Sequence, residues 1–156
     1  MIRISFLNPL FVFAGSKVGL VVFLIILSVI LYFRKKEKIL PFWISIFLTA
    51  VISTLIKYLV ARPRPSLSPL LIKTSPSFPS THAAVAAASY FFFRKLKPLP
   101  KITVLVLSLI AASTGYYNGV HYLSDIFAGI ILGILSSYLT EKWWPKLERK
   151  LPARTI

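Results

Sequence analysis

The sequence predicts an all-α membrane protein, a polytopic bundle of about five transmembrane helices, with residues 1–156 forming a single domain. Of the 156 residues, 56% are hydrophobic, and the mean hydropathy is +0.77. Several apolar runs are longer than the helices of a soluble core need to be, and basic residues follow them. Because the chain has no cysteine, neither a disulfide nor a thiolate site is possible.

Five apolar segments are interpreted as spans. The first is almost unbroken and ends at a basic cluster, which is typical of a spanning helix. The third is short and rich in alanine, so we expect it to be buried in the bundle, where small side chains let helices approach closely. Residues 2–16 are apolar too, but Pro9 and Gly15 interrupt them, and they are not counted. The predicted spans are residues 18–33, about 39–60, about 79–93, about 102–118 and about 122–140.

The formal net charge of +15 is interpreted from where the basic residues lie relative to the spans. Thirteen of the 19 basic residues lie in the first and third loops between spans and in the C-terminal tail. By the positive-inside rule, that face and the C-terminus are cytoplasmic, and the opposite ends of the spans lie at the outer face of the cytoplasmic membrane. We therefore expect a membrane partner and no nucleic acid. The thirteen residues are Arg34, Lys35, Lys36, Lys38, Arg94, Lys95, Lys97, Lys101, Lys142, Lys146, Arg149, Lys150 and Arg154.

Three short polar clusters occur in this apolar chain, at residues 57–65, 79–82 and 121–125. They contain both histidines and one of only four acidic residues. The alternation of five spans brings all three to the outer face. Polar side chains are costly at the edge of a bilayer, so three that converge predict a functional site.

The first cluster supplies cations. Lys57 lies near the end of the second span, and Arg62 and Arg64 follow it. Cations on the face where the positive-inside rule disfavours them indicate an anionic ligand, but snorkelling to lipid headgroups explains them as well.

The other two clusters supply groups for acid–base and nucleophilic chemistry. Ser80 or Thr81 suits a helix cap whose free amides bind phosphate, with His82 beside them, although a plain polar cap is the simpler interpretation. His121 and Asp125 are four residues apart, so the carboxylate either activates the imidazole as a nucleophile or forms a structural pair. Together the groups match phosphoryl transfer through a phosphohistidine. Two histidines and one aspartate among cations make a poor metal site, and no metal is expected.

In order and spacing, the clusters resemble the three signature motifs of the type 2 phosphatidic acid phosphatase (PAP2) superfamily. These membrane lipid phosphatases share their site with vanadium haloperoxidases and bacterial acid phosphatases. The resemblance covers residues 57–125 and implies a PAP2/haloperoxidase-like helical core and a lipid phosphatase that needs no cofactor. The motifs are Lys57-x6-Arg64-Pro65, Pro79-Ser80-Thr81-His82 and His121-x3-Asp125.

The resemblance also implies a role for each matched residue. His121 would attack phosphorus, Asp125 would orient it, and His82 would protonate the leaving oxygen. The groups implied to hold the phosphate oxygens are Lys57, Arg64, Ser80 and the amide of Thr81.

The chain departs from the family pattern in three respects. Thr81 stands where the second motif usually has glycine. The third motif normally begins with Ser-Arg, but this chain has Thr114 and Gly115 there, so Lys73 or Arg62 would have to replace a phosphate-binding arginine. The family commonly has six spans, and five are predicted here.

The predicted function is hydrolysis of a lipid phosphomonoester or diphosphate. The chain has almost no soluble part, which favours a headgroup that diffuses in from the bilayer. Family analogy offers polyprenyl diphosphate, phosphatidylglycerol phosphate, phosphatidic acid and lipid A 1-phosphate. Two alternatives are a phosphotransferase that passes the phosphate to another lipid, and a non-catalytic lipid-phosphate binder or transporter, which Gly115 motivates.

Overall fold

The computed structural model describes residues 5–65 and 69–149, and within them the chain is helical and has no strand. Residues 2–4, residues 66–68 and the basic tail residues Lys150 and Arg154 lie outside the described part. Two short 3-10 turns, Ser5–Leu7 and Lys36–Lys38, precede the first and third helices. The helices are α1 (Asn8–Ala14), α2 (Lys17–Lys35), α3 (Ile39–Val60), α4 (Thr81–Phe93), α5 (Pro98–Tyr117) and α6 (Leu123–Glu148).

Helices α2 to α6 lie at the five segments that the sequence predicts to be spans. By length and composition, three helical stretches can cross a membrane, namely Lys17–Val60, Pro98–Tyr117 and Leu123–Glu148. The first contains α2 and α3, which separate where the backbone of Lys35 leaves the helical region, at φ −157° and ψ 63°. With 13 residues, α4 is about 20 Å long and shorter than the hydrocarbon core of a bilayer.

Helix α4 is the centre of the bundle and packs against α3, α5 and α6. Ten of its 13 residues are buried, which confirms the prediction that this alanine-rich segment is enclosed. The contact with α6 is so close that a Cβ atom at Gly129 or Gly133 would clash with the carbonyl oxygens of Ser80 and Ala84. The start of α4 is therefore held against the start of α6.

The opposite end of the bundle is closed by aromatic rings and ion pairs. Phe42 packs edge to face against Phe92, with ring centroids 5.7 Å apart. Glu141 on α6 forms salt bridges with Lys38, before α3, and with Arg94, after α4. These contacts join three helices at the end that is rich in basic residues.

A row of buried hydroxyl groups joins α3 to its neighbours and ends at Lys57. The row repeats every fourth residue, which keeps it on one face of the helix. Hydroxyl pairs of this kind link helices inside membranes, and here they set the position at which Lys57 reaches the start of α4. The hydrogen-bonded pairs are Ser45–Ser137 (2.8 Å), Thr49–Ser136 (2.5 Å) and Ser53–Thr81 (2.8 Å).

Candidate active site

The three polar clusters meet at one end of the bundle, where backbone hydrogen bonds join them. The N–H of Ser80 donates to the carbonyl of Asp125 at 2.9 Å, which ties the second cluster to the third. The N–H of Ser77 donates to the carbonyl of Arg62 at 2.9 Å, which ties the loop before α4 to the first cluster. The predicted site residues are therefore neighbours in space.

His121 and Asp125 form a buried pair at the start of α6, with 4% and 0% of their surfaces exposed. Nδ1 of His121 donates to Oδ2 of Asp125 at 3.4 Å, and the same oxygen accepts from the N–H of Tyr122 at 3.0 Å. His121 precedes the helix, so the pair forms across the helix cap and not, as the spacing predicted, along one helical face. The carboxylate is held as the cap of α6 and fixes the imidazole tautomer.

The imidazole of His121 is neutral and its second nitrogen faces a cation. Burial, with the nearby charges of Arg64 and Lys57, lowers the pKa of His121 to about 2. Because Nδ1 carries the proton, Nε2 holds a lone pair, and NH1 of Arg64 lies 3.4 Å from it. The predicted nucleophile and a predicted phosphate-binding group thus lie side by side.

The guanidinium of Arg64 is held by the loop before α4 and the turn before α6. Its Nε donates to the Ser75 carbonyl at 2.7 Å, and its NH1 donates to the Val120 carbonyl at 2.7 Å. Its NH2 donates to Ser75 Oγ and to the Pro76 carbonyl, both at 3.1 Å. Burial lowers the pKa of Arg64. Ser75 and Val120 were not identified from the sequence, because neither stands in a motif.

The ammonium of Lys57 is buried and donates to three backbone carbonyls in the loop that leads to α4. These belong to Pro76 and Ser77, each at 3.2 Å, and to Pro79 at 2.6 Å. The three bonds use all the N–H donors of an ammonium group. Lys57 therefore shapes the loop, and its predicted contact with a phosphate requires the exchange of one of these bonds.

The predicted phosphate cradle lies at the start of α4. Ser80 is the helix cap, since its Oγ accepts from the N–H of Ala83 at 3.4 Å, and its own hydroxyl proton is still available to donate. Helix geometry leaves the amides of Thr81 and His82 without partners in the helix. The Thr81 hydroxyl pairs with Ser53, so the side chain that replaces the family's glycine takes part in helix packing.

The short segment before α2 forms one wall of the site. The ring Nε2 of His82 donates to the Ser16 carbonyl at 3.2 Å, and the ammonium of Lys73 donates to the Gly15 carbonyl at 3.1 Å. Both carbonyls belong to the corner between α1 and α2, and α1 packs against α5. Residues that the sequence left outside the predicted spans therefore contact two predicted site residues.

The two cations that were predicted to replace the missing arginine differ in their partners. NH1 of Arg62 donates to Oδ1 of Asp125 at 2.8 Å, so this side chain is bound to the carboxylate of the buried pair. Lys73 has the Gly15 carbonyl as its one hydrogen-bond partner among the described residues. Burial, together with the charges of Arg64 and Lys17, lowers the pKa of Lys73 to about 8.

The polar groups of the site are suited to an anion. Within residues 5–65 and 69–149, no group of three or more His, Cys, Asp or Glu side chains could hold a metal ion. The site instead presents an ammonium, a guanidinium and backbone N–H groups, which are the partners that a phosphate prefers.

Comparisons with known proteins show the family of the chain. The family model described as PAP2 superfamily matches residues 38–149. Phosphatidylglycerophosphatase B of Bacillus subtilis (strain 168) is 28% identical over 156 residues, which cover 93% of this chain and 71% of the relative. Undecaprenyl-diphosphatase of Sulfolobus acidocaldarius is 28% identical over 148 residues, which cover 88% of this chain and 71% of the relative.

A solved structure extends the likeness to three dimensions. Aquifex aeolicus LpxE superposes with a TM-score of 0.76 at 27% identity, covering 90% of this chain and 88% of the other. The family match contains all three polar clusters and every helix of the bundle except α1 and α2. The chain therefore belongs to the PAP2 superfamily and is a membrane lipid phosphatase of that family.

Proposed function

We propose that this phosphatase works through a phosphohistidine on His121, without a metal, at the outer face of the cytoplasmic membrane, and that residues 1–156 form one such domain. One observation carries the proposal: Asp125 holds Nδ1 of His121 while Nε2 of the same ring faces the guanidinium of Arg64. A carboxylate on one ring nitrogen makes the other a better nucleophile. The guanidinium would neutralise the phosphoryl group that the nitrogen attacks.

In the first step, Nε2 of His121 forms a bond to phosphorus, and the bond from phosphorus to the leaving oxygen breaks. His82, protonated on both ring nitrogens beside the bound phosphate anion, donates its Nε2 proton to that oxygen and becomes a neutral imidazole with its proton on Nδ1. For this it must exchange the Ser16 carbonyl for the substrate. The His121 ring becomes positively charged while Nδ1 keeps its proton, and Asp125 stabilises this charge.

In the second step, a water molecule attacks phosphorus. His82 accepts a proton from the water through Nε2, and the bond between phosphorus and Nε2 of His121 breaks. Inorganic phosphate leaves, and both imidazoles return to their starting protonation states.

The phosphate oxygens would be bound by four groups, which are Lys57, Arg64, Ser80 and the amide of Thr81. Fixed donors of this kind stabilise the charge of the transition state, and the loss of one typically costs about 10²–10³ in rate. We assign the place of the missing arginine to Lys73. Its ammonium has spare donors among the described residues, so it can bind phosphate without releasing the Gly15 carbonyl.

The substrate would be a lipid that enters from the bilayer. The candidates are polyprenyl diphosphate, phosphatidylglycerol phosphate, phosphatidic acid and lipid A 1-phosphate, and the relatives' names include a phosphatidylglycerophosphatase and an undecaprenyl-diphosphatase. The basic residues at the opposite end of the bundle support an outward-facing site with a cytoplasmic C-terminus, by the positive-inside rule.

The test is phosphate release by the detergent-purified protein from these four lipids, with EDTA present, beside His121→Ala. Release that survives EDTA and is lost in His121→Ala is the expected result. Equal release by both proteins would overturn the phosphohistidine. Release that appears only when a second lipid is added as acceptor would replace hydrolysis by phosphate transfer between lipids.

A further inference from the structure

The carboxylate of Asp125 is bound on both of its oxygens, and the two sets of partners differ. Oδ2 faces His121 and the N–H of Tyr122. Oδ1 accepts from NH1 of Arg62 at 2.8 Å, which makes an ion pair with a carboxylate that is fully buried. The described residues thus place the guanidinium, the carboxylate and the imidazole in one continuous row.

The guanidinium of Arg62 is itself fixed by groups at the start of α6. The same NH1 donates to Oγ of Ser124 at 2.7 Å, and the guanidinium lies over the ring of Tyr122, 4.1 Å from its centroid. The Arg62 carbonyl accepts from the N–H of Ser77 at 2.9 Å. Both the backbone and the side chain of Arg62 are therefore held at the helix start that carries Asp125.

We propose that Arg62 is a positioning residue, which acts on the reaction through Asp125 and not by binding phosphate. A buried carboxylate that lacks a cationic partner is costly, and its plane is free to turn about the bond to Cβ. Binding Oδ1 compensates the charge and fixes that plane, so that Oδ2 is presented to Nδ1 of His121. The inference rests on the proposed role of His121 as the nucleophile.

This assignment separates the two arginines of the first cluster. Arg64 lies beside Nε2 of His121, where phosphorus would be attacked, whereas Arg62 lies beyond the carboxylate that holds Nδ1. The two side chains therefore act on opposite nitrogens of one ring. Removing Arg62 should lower kcat by about 10- to 100-fold, the usual effect of losing an outer partner, and leave KM within about 2-fold.

The kinetic experiment uses Arg62→Met and Arg62→Lys in the full chain, alone and combined with Asp125→Asn. Lys101→Met, which removes a cation at the start of α5, controls for net charge. If Arg62 acts through Asp125, Arg62→Met adds little to the loss in Asp125→Asn, and Arg62→Lys recovers part of kcat. Additive losses, or a KM that rises while kcat is kept, would identify a phosphate contact and overturn the proposal.

A second measurement does not depend on turnover. The chain has only two histidines, so selective ¹⁵N-histidine labelling reports His82 and His121 alone. The hydrogen bonds predict the proton on Nε2 of His82 and on Nδ1 of His121. Arg62→Met should spread the His121 proton over both nitrogens and leave His82 unchanged, which also shows that the variant is folded. An unchanged His121 spectrum would overturn the proposal, even if wild-type protein released no phosphate and the proposed function itself had failed.

Discussion

The backbone of Gly115 lies against the imidazole of His121, so closely that a Cβ atom at position 115 would lie 2.5 Å from Cδ2 and 3.2 Å from Cγ of the ring. The N–H of His121 also donates to the Gly115 carbonyl at 3.1 Å. At the position where the family's third motif carries an arginine, this chain therefore has no room for a side chain. The ring of the proposed nucleophile occupies the space that a side chain would need.

We predict that Gly115→Arg does not restore a missing cation but displaces His121. Gly115→Ala should have the same effect on a smaller scale, because the Cβ atom alone is too close. A shift of about 1 Å at a reacting group costs on the order of 100-fold in turnover, so kcat should fall by that order in Gly115→Ala. Steady-state kinetics of the two variants test this, and a faster Gly115→Arg enzyme would contradict it.

Substitutions of His121 and of Asp125, the two members of the buried pair, should leave different amounts of activity. His121→Ala removes the nucleophile and should abolish turnover, whereas Asp125→Asn leaves the nucleophile in a poorly fixed tautomer and should retain residual activity, about 10⁴-fold below wild type. Trapping the phosphoenzyme with labelled substrate gives a direct readout. Label retained by His121→Ala would show that phosphate is bound elsewhere.

Lys73 should make phosphate binding sensitive to alkaline pH. Its pKa is lowered to about 8, so the ammonium is charged below that pH and becomes neutral as the pH rises through it. Arginine keeps its charge, so Lys73→Arg should resemble wild type at pH 6 and have the lower KM at pH 9. Lys73→Met should lose about 100-fold in kcat/KM at pH 6. Equal KM values for wild type and Lys73→Arg at pH 9 would remove Lys73 from the phosphate site.

Ala61 ends α3 in the left-handed conformation, at φ 49° and ψ 33°, which costs a non-glycine residue about 1–2 kcal/mol. Part of the gain from glycine is lost to the greater freedom of the unfolded chain. Ala61→Gly should therefore raise the free energy of unfolding by about 0.5–1 kcal/mol, measured as a higher Tm in detergent. Ala61→Val is the matched control, and its Tm should fall because a β-branched residue fits this conformation poorly.

The sequence was sufficient for most of the helices, because long apolar runs between basic clusters leave few alternatives. The observed bounds of α3 agree with the predicted span at both ends. Helix α6, in contrast, continues to Glu148, beyond the predicted end near Thr140. The extension includes Pro145, which sequence rules would place at or after a helix end. Local signals of this kind identify a helix more reliably than its last turn.

The site was predictable as a neighbourhood but not as a set of contacts. Successive spans cross the membrane in opposite directions, so counting them is enough to predict that the three clusters lie at one end of the bundle. Asp125, the partner of Arg62, is 63 residues away in sequence. No local pattern indicates that the guanidinium of Arg62 binds this carboxylate and not a phosphate. The three carbonyls that Lys57 binds could not be predicted from the sequence either, because every residue type has a backbone carbonyl.

The corner between α1 and α2 lies outside the residues that the family model matches, yet its backbone carbonyls hold the ammonium of Lys73 and the ring nitrogen that we propose as proton donor. Those contacts come from peptide groups, so a substitution at Ser16 can leave them in place while a shift of the corner breaks them. A side chain at Gly15 would cause such a shift, because its Cβ atom would lie 2.4 Å from Nδ2 of Asn118. Two relatives with the same three motifs would then differ in how readily the leaving group is protonated. A sequence comparison restricted to the three motifs would group such enzymes together. To separate them, the comparison would have to include the corner between α1 and α2.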